Sequence, residues 1–227
     1  MKKVQKVKYL LYGVLIAVGF FLGFKLYHRW QNENAVLKQV ITRLEAQTRV
    51  AEVLVTGVNY DEKNKKAYTT IKFLEYDEHK QPLKPRYFTF IGNIIQFQAL
   101  IIRFDNIHIR NGHKLKGKSA HIFWKAFVLD GENTQEFEIN KLNEIPQGYK
   151  IEGLENPFEL KLWQEFWAYA LNPDLAKTDG IRNAQIEAPG TMFVPGHLYT
   201  IYIEHDGGLL IDSSPLSPIL KGETILK

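Results

Sequence analysis

His108, His113 and His121 fall within fourteen residues, the densest group of histidines in this 227-residue sequence. Histidine ligands on one helix favour i, i+4 spacing, and on one strand they favour i, i+2. The separations here offer neither. His113 lies in the string "NGHKLKGK", which reads as a loop, and the other two histidines fall on flanking strands. A metal centre would therefore need three separate segments to converge. No metal ligand is assigned, and a metal-dependent envelope hydrolase stands as the third of three functional readings.

The remaining reactive types give less. Glu204 and Asp206 in "EHDGG" are neighbours in a glycine-rich hairpin turn, where glycine supplies positive φ, and an acid/base pair needs partners across a cleft. Ser119, Ser213, Ser214 and Ser217 are the only serines, and none lies in a nucleophile elbow or an S-x-x-K arrangement. The absence of cysteine removes disulfides, thiolate ligands and a thiol nucleophile. There is no phosphate-binding glycine loop. No catalytic residue and no cofactor is assigned.

Residue types suited to contact are better represented. "PFELKLWQEFWAYAL" (157–171) reads as a helix, with Asn156 as N-cap and Pro157 at the first helical position. Its apolar residues occupy an arc of about 220°, far wider than the stripe one buried face requires. The other side holds Lys161, Gln164, Glu165 and Ala168, too weakly basic for a helix lying on lipid headgroups. Glu159 intrudes on the apolar arc and is expected to turn outward near the cap. The wide arc marks Trp163, Phe166 and Trp167 as contact candidates beyond the sheet that the helix covers. The loop "APGTMFVPG" adds Met192 and Phe193, which either form a surface or plug the core. Arg110, Lys114, Lys116 and Lys118 form the one local basic cluster outside the N-terminus, suited to anionic headgroups or an acidic polymer.

The chain must hold these groups somewhere, and its first thirty residues say where. Lys2, Lys3, Lys6, Lys8, Lys25 and Arg29 carry +6 without an acid, whereas the remainder has a net charge of −2. The sum of +4 thus hides a near-neutral body without the basic face a nucleic-acid binder needs. "YLLYGVLIAVGFFLGF" (9–24) is uncharged. Extended to Trp30, with Lys25 snorkelling, it meets the roughly 20 residues of a membrane crossing. The preceding lysines favour a cytoplasmic N-terminus. The bulky sequence after the run lacks a small-x-small cleavage site, so an uncleaved anchor is expected. Gly19 and Gly23 repeat a spacing that lets membrane helices approach closely, which is also common without function.

The expected organisation is a basic tail (1–7), a transmembrane anchor (8–30), a juxtamembrane helix or stalk (31–52) and a β-rich ectodomain (53–227). Within 33–55, Leu37, Val40, Leu44, Gln47, Ala51 and Leu54 follow a heptad-like spacing; with the glycine pair, this raises self-association. Nine or ten consecutive short strands then predict an α+β class that is mainly β, an antiparallel sandwich or half-barrel with one substantial helix. The leading functional expectation is a non-catalytic interaction or assembly module of an envelope complex, held in the inner membrane and facing out of the cytoplasm. Its expected partners are the bilayer, other envelope proteins and further copies of itself. An apolar-ligand domain is the second reading.

Overall fold

The structure is a computed structural model that describes residues 2–44, 50–77, 80–103, 119–130, 133–150, 156–178, 181, 183–203 and 208–218. It has two compact units, Met1–Val40 and Ile41–Lys227. Helix α1 runs from Lys2 to Leu44, a stretch free of proline, so its hydrogen-bond ladder is never forced to break. At about 1.5 Å per residue it is roughly 65 Å long. Every described side chain from Gly13 to Asn32 is exposed, on all sides of the helix. Among the described residues, no helix is long and apolar enough to cross a membrane; the described side chains begin at Gly13, four residues into the uncharged run. Past that run the helix surface is polar: Arg29 pairs with Glu33 at 2.9 Å, and Asn34 donates to the Trp30 carbonyl.

The helical reading of 33–55 is corrected at its C-terminal end. α1 stops at Leu44, and Val50 opens strand β1 (Val50–Asp61). Ala51, Val53 and Val55 alternate as buried residues of that strand. The heptad match at Ala51 and Leu54 therefore coincided with a period-two pattern, and tertiary burial decided between them.

β1 forms the expected hairpin with β2 (Lys66–Glu75), and β3 (Arg86–Ile91) pairs with β2. Gly92, at φ +85°, donates to the Ala67 carbonyl and turns the chain into β4 (Ile94–Arg103); glycine bears that φ without a Cβ clash. β5 (Ser119–Asp130) and β6 (Asn133–Glu138) follow as a second hairpin. After the helical segment come β7 (Asn183–Glu187), β8 (Gly190–Met192), β9 (His197–Ile203) and β10 (Leu209–Pro215). One antiparallel sheet has the order β10-β9-β1-β2-β3. The other is β6-β5-β4-β7, with β8 also on β4. The mainly β expectation holds, with ten strands among the described residues.

The inner faces supply one core. Phe73 stacks on Phe97 of the opposite sheet at 5.4 Å and meets Phe123 edge-on at 5.6 Å. Both open sides of the sandwich are stitched by a side chain. On one side Gln135 Oε1 accepts from Ile91 N at 2.7 Å while Phe137 stacks against Phe88. On the other, Glu187 Oε2 accepts from Leu209 N at 2.7 Å. The edge strand β10 is further blunted. Ser213 N turns back onto Asp212 Oδ1, and Pro215 has no N–H. Of the outward amides at alternate positions this leaves Ile211, which discourages edge-to-edge pairing.

β4 changes character along its length. Ile94, Gln96 and Gln98 show an outer face that is exposed or half-buried, whereas Leu100 and Ile102 on the same parity are fully buried. The change comes at a bulge, where β5 inserts Trp124 between the partners of Gln98 and Ala99. Beyond it the sheet is covered on both faces, the second cover being helix α2 (Pro157–Leu171), which lies against β4 and β7. "PQGYKIEGL" contains a 3-10 turn, η1 (Gln147–Tyr149).

Because Phe73 bridges the sheets, Phe73→Ala should lower unfolding free energy by about 3–5 kcal/mol. Glu187→Ala should cost about 1–2 kcal/mol and accelerate amide exchange at Leu209. Denaturant titration of the detergent-solubilised full chain, with residue-resolved exchange, checks both. Equal costs for the two variants would contradict this division between core and seam.

Candidate functional site

The aromatic helix forms for the reasons its ends announce. Asn156 sits in extended backbone, and its Oδ1 accepts from Phe158 N at 2.9 Å ahead of Pro157. At the other end Asn172 N donates to the Ala168 carbonyl, while Asn172 Oδ1 accepts from Leu175 N and so starts the short helix α3 (Pro173–Thr178). One asparagine thus ends one helix and caps the next.

The side chains expected to face a partner do not. Trp163, Phe166 and Trp167 are 0%, 1% and 0% exposed, so they are core and not contact surface. The tryptophan side of the arc is taken up inside the domain, while Leu160 and Leu171 remain exposed. Tyr149 packs on Trp163 at 4.4 Å, Trp124 meets Trp167 edge-on, and Trp167 Nε1 donates to the Glu144 carbonyl at 2.8 Å. The Tyr149 hydroxyl donates to the His121 carbonyl and accepts from His121 N, which fixes η1 against β5. A helix clamped between a sheet and a wrapped segment needs apolar residues over both sides. Glu159 is also corrected: it is fully buried instead of turning outward.

The loop candidates divide. Phe193 plugs the core, 4.4 Å from Tyr199 and 5.8 Å from Phe97, whereas Met192 is 54% exposed beside Ile94 across the β4–β8 pair. The second contact of α2 is therefore the η1 segment. Arg110, Lys114, Lys116 and Lys118, together with His108 and His113, lie outside the described residues. Gly19 and Gly23 lie on α1, where an added Cβ would meet nothing within 4 Å.

What the outside of this layer offers is a groove of about 450 Å³ at the first turn of α2, lined by Glu144, Ile145, Lys150, Asn156, Pro157 and Leu160. Among the described residues its lining mixes apolar Ile145, Pro157 and Leu160 with Glu144 and Lys150. That suits a small amphipathic group better than an extended acyl chain.

Titratable groups gather elsewhere. The Tyr76 hydroxyl donates to Glu52 Oε2 at 2.7 Å; burial first, and the Glu52 carboxylate second, push its pKa up to about 12. Burial pulls half-buried Arg86 below its ordinary range while the buried Glu75 carboxylate pushes it back. In the β1–β2 turn, Asn64 and Lys63 donate to the Asp61 carboxylate and lower its pKa. Among the described residues, no group of three or more His, Cys, Asp or Glu could hold a metal ion. No family model, curated protein or solved structure matches the chain.

Trp163→Ala should destabilise the fold by about 3–5 kcal/mol, whereas Leu160→Ala, at the groove, should cost about 1 kcal/mol or less. Thermal unfolding distinguishes the two, and a mild Trp163 effect would contradict the buried assignment. Tyr76 yields a pH test. Its proton is held more tightly in the folded state, so its contribution is complete below the ordinary tyrosine pKa of 10 and disappears as pH rises toward about 12. Tyr76→Phe should lose less stability than wild type across that window, and parallel curves would contradict it.

Proposed function

We propose that the chain is a single-pass membrane protein whose β-sandwich faces out of the cytoplasm as a non-catalytic interaction or assembly module. One observation carries the anchor: from Val14 to Phe24 α1 is apolar around its whole circumference, yet exposed on every side, with Phe20 at 77% and Ile16 at 72%. A helix apolar all round requires an apolar environment all round, and lipid provides one. Tyr27 and Trp30 follow where interfacial aromatics belong, and the lysines before Tyr9 set the cytoplasmic end. Localisation in the inner membrane follows from the same reading.

The interaction role draws on the distribution of chemistry. Several short polar contacts in the sandwich stitch its seams or cap its helices, which supports a structural use of these groups. The apolar-ligand reading keeps a narrower form. The tryptophans cannot be a ligand wall, so the groove by Leu160 and Lys150 is the place such a ligand would enter.

Alkaline carbonate should leave the chain in the membrane pellet, and detergent should release it, while Phe20→Asp with Phe21→Asp should move most of it to the soluble fraction. Release of the wild-type chain by carbonate would sink the anchor.

A further inference from the structure

The pairing of β1 is asymmetric. On one side β2 accompanies it to its end, through Asp61↔Lys66. On the other side β9 pairs it from Val50↔Tyr202 to Leu54↔Leu198 and then stops, because β9 begins at His197. Gly196, at φ +83°, turns the chain away there. Gly57–Asp61 thus continue as a ladder-forming strand, and among the described residues nothing pairs their second edge. The sandwich blunts β10 with Glu187, Asp212 and Pro215 and closes β3 with Gln135. The outer half of β1 carries no such device, and neither proline nor an inward charge interrupts it.

Its side chains also await a cover. The bulge at Thr56 resets the register, so that Val58 sits opposite buried Thr69 and Tyr60 opposite Ala67. Both therefore share the face that carries Val53 and Val55 into the core. They are nevertheless 51% and 62% exposed. An apolar inner face and a free hydrogen-bonding edge coincide on the same five residues, Gly57 to Asp61.

We propose that Gly57–Asp61 is a strand-addition site for an extended peptide segment of a partner protein, which takes the place beside β1 that β9 leaves. The segment runs antiparallel to β1, in line with β9, forming main-chain hydrogen bonds. Alternate apolar side chains cover Val58 and Tyr60. Its N-terminal end lies beside the turn of residues 61–66. There the Asp61 carboxylate is taken up by Lys63 N, Asn64 N and Asn64 Nδ2. Lys63, Lys65 and Lys66 outnumber Asp61 and Glu62 in this turn, so an acidic residue fits the start of the segment. This deepens the interaction-module reading by giving it a site and a partner chemistry. It is independent of the anchor, since membrane retention is measured separately.

The probe is an amidated peptide that alternates valine and threonine behind one aspartate, titrated onto the full chain in detergent. Fluorescence anisotropy reads binding, and amide exchange reads its location. Saturable binding with slowed exchange at Gly57–Asp61 is expected. A central proline in the peptide, or Val58→Lys with Tyr60→Lys in the protein, should weaken binding roughly tenfold or more. Tyr87→Lys, at an exposed position on β3, should bind like wild type. Both substituted β1 side chains are largely exposed, and an unchanged melting midpoint confirms that the variant folds. No saturation up to about 1 mM peptide, or equal binding by the lysine variant, overturns the proposal. Protection of Gly57–Asp61 that rises with protein concentration in the absence of peptide assigns the edge to a second copy, and also overturns it.

Discussion

Burial of β4 on both faces is the constraint from which the rest of the β-sandwich unit follows. Phe97 must lie under Phe73 in the sandwich, while Leu100 and Ile102 point the other way and need a second apolar cover. A sheet with one wet face can end at its own edges, but one with two dry faces requires another layer. α2 is that layer, and its tryptophans are sized for it. The bulge at Trp124 marks where the one-sided sheet becomes two-sided, and the same tryptophan reaches Trp167. Tyr149 and Asn140 then secure the wrapped segment to β5, at the His121 backbone and the Phe123 carbonyl.

This arrangement explains why the tryptophans of the chain's most conspicuous aromatic string are buried. Width of an apolar arc counts the neighbours of a helix without saying whether those neighbours belong to the same chain. The covering segment is short and mostly polar in sequence, with Lys141, Asn143, Glu144, Gln147 and Lys150. Among the described residues its contacts include the Tyr149 ring, the Glu144 carbonyl and the Asn140 side chain. No period in the sequence signals such a cover.

Elsewhere the local patterns were sufficient. The turn residues around 61–66, the proline break before Arg86 and the Asn156–Pro157 pair each mark an element end that the structure reproduces. "IIQFQALII" even contains the one-sided and two-sided halves of β4, as alternation giving way to a continuous apolar run. What could not be read were properties that depend on which strands become neighbours. The stitches by Gln135 and Glu187, and the shortness of β9 beside β1, are set by register between distant segments. The helix ending at Leu44 was masked by a heptad coincidence that gave way once Ala51 and Val53 found a core.

The proposal that the exposed apolar stretch of α1 holds this sandwich on the far side of a membrane can be measured directly. The chain's lack of cysteine makes the direct measurement clean, because a single introduced thiol has no background. Ser214 is exposed at the β10 edge, and Lys3 lies in the basic segment before the uncharged run. With a membrane-impermeant maleimide, Ser214→Cys should label in intact spheroplasts and Lys3→Cys after permeabilisation alone. Labelling of Lys3→Cys but not Ser214→Cys in intact spheroplasts would reverse the orientation, and labelling of neither would place the sandwich inside the cell, contrary to this account.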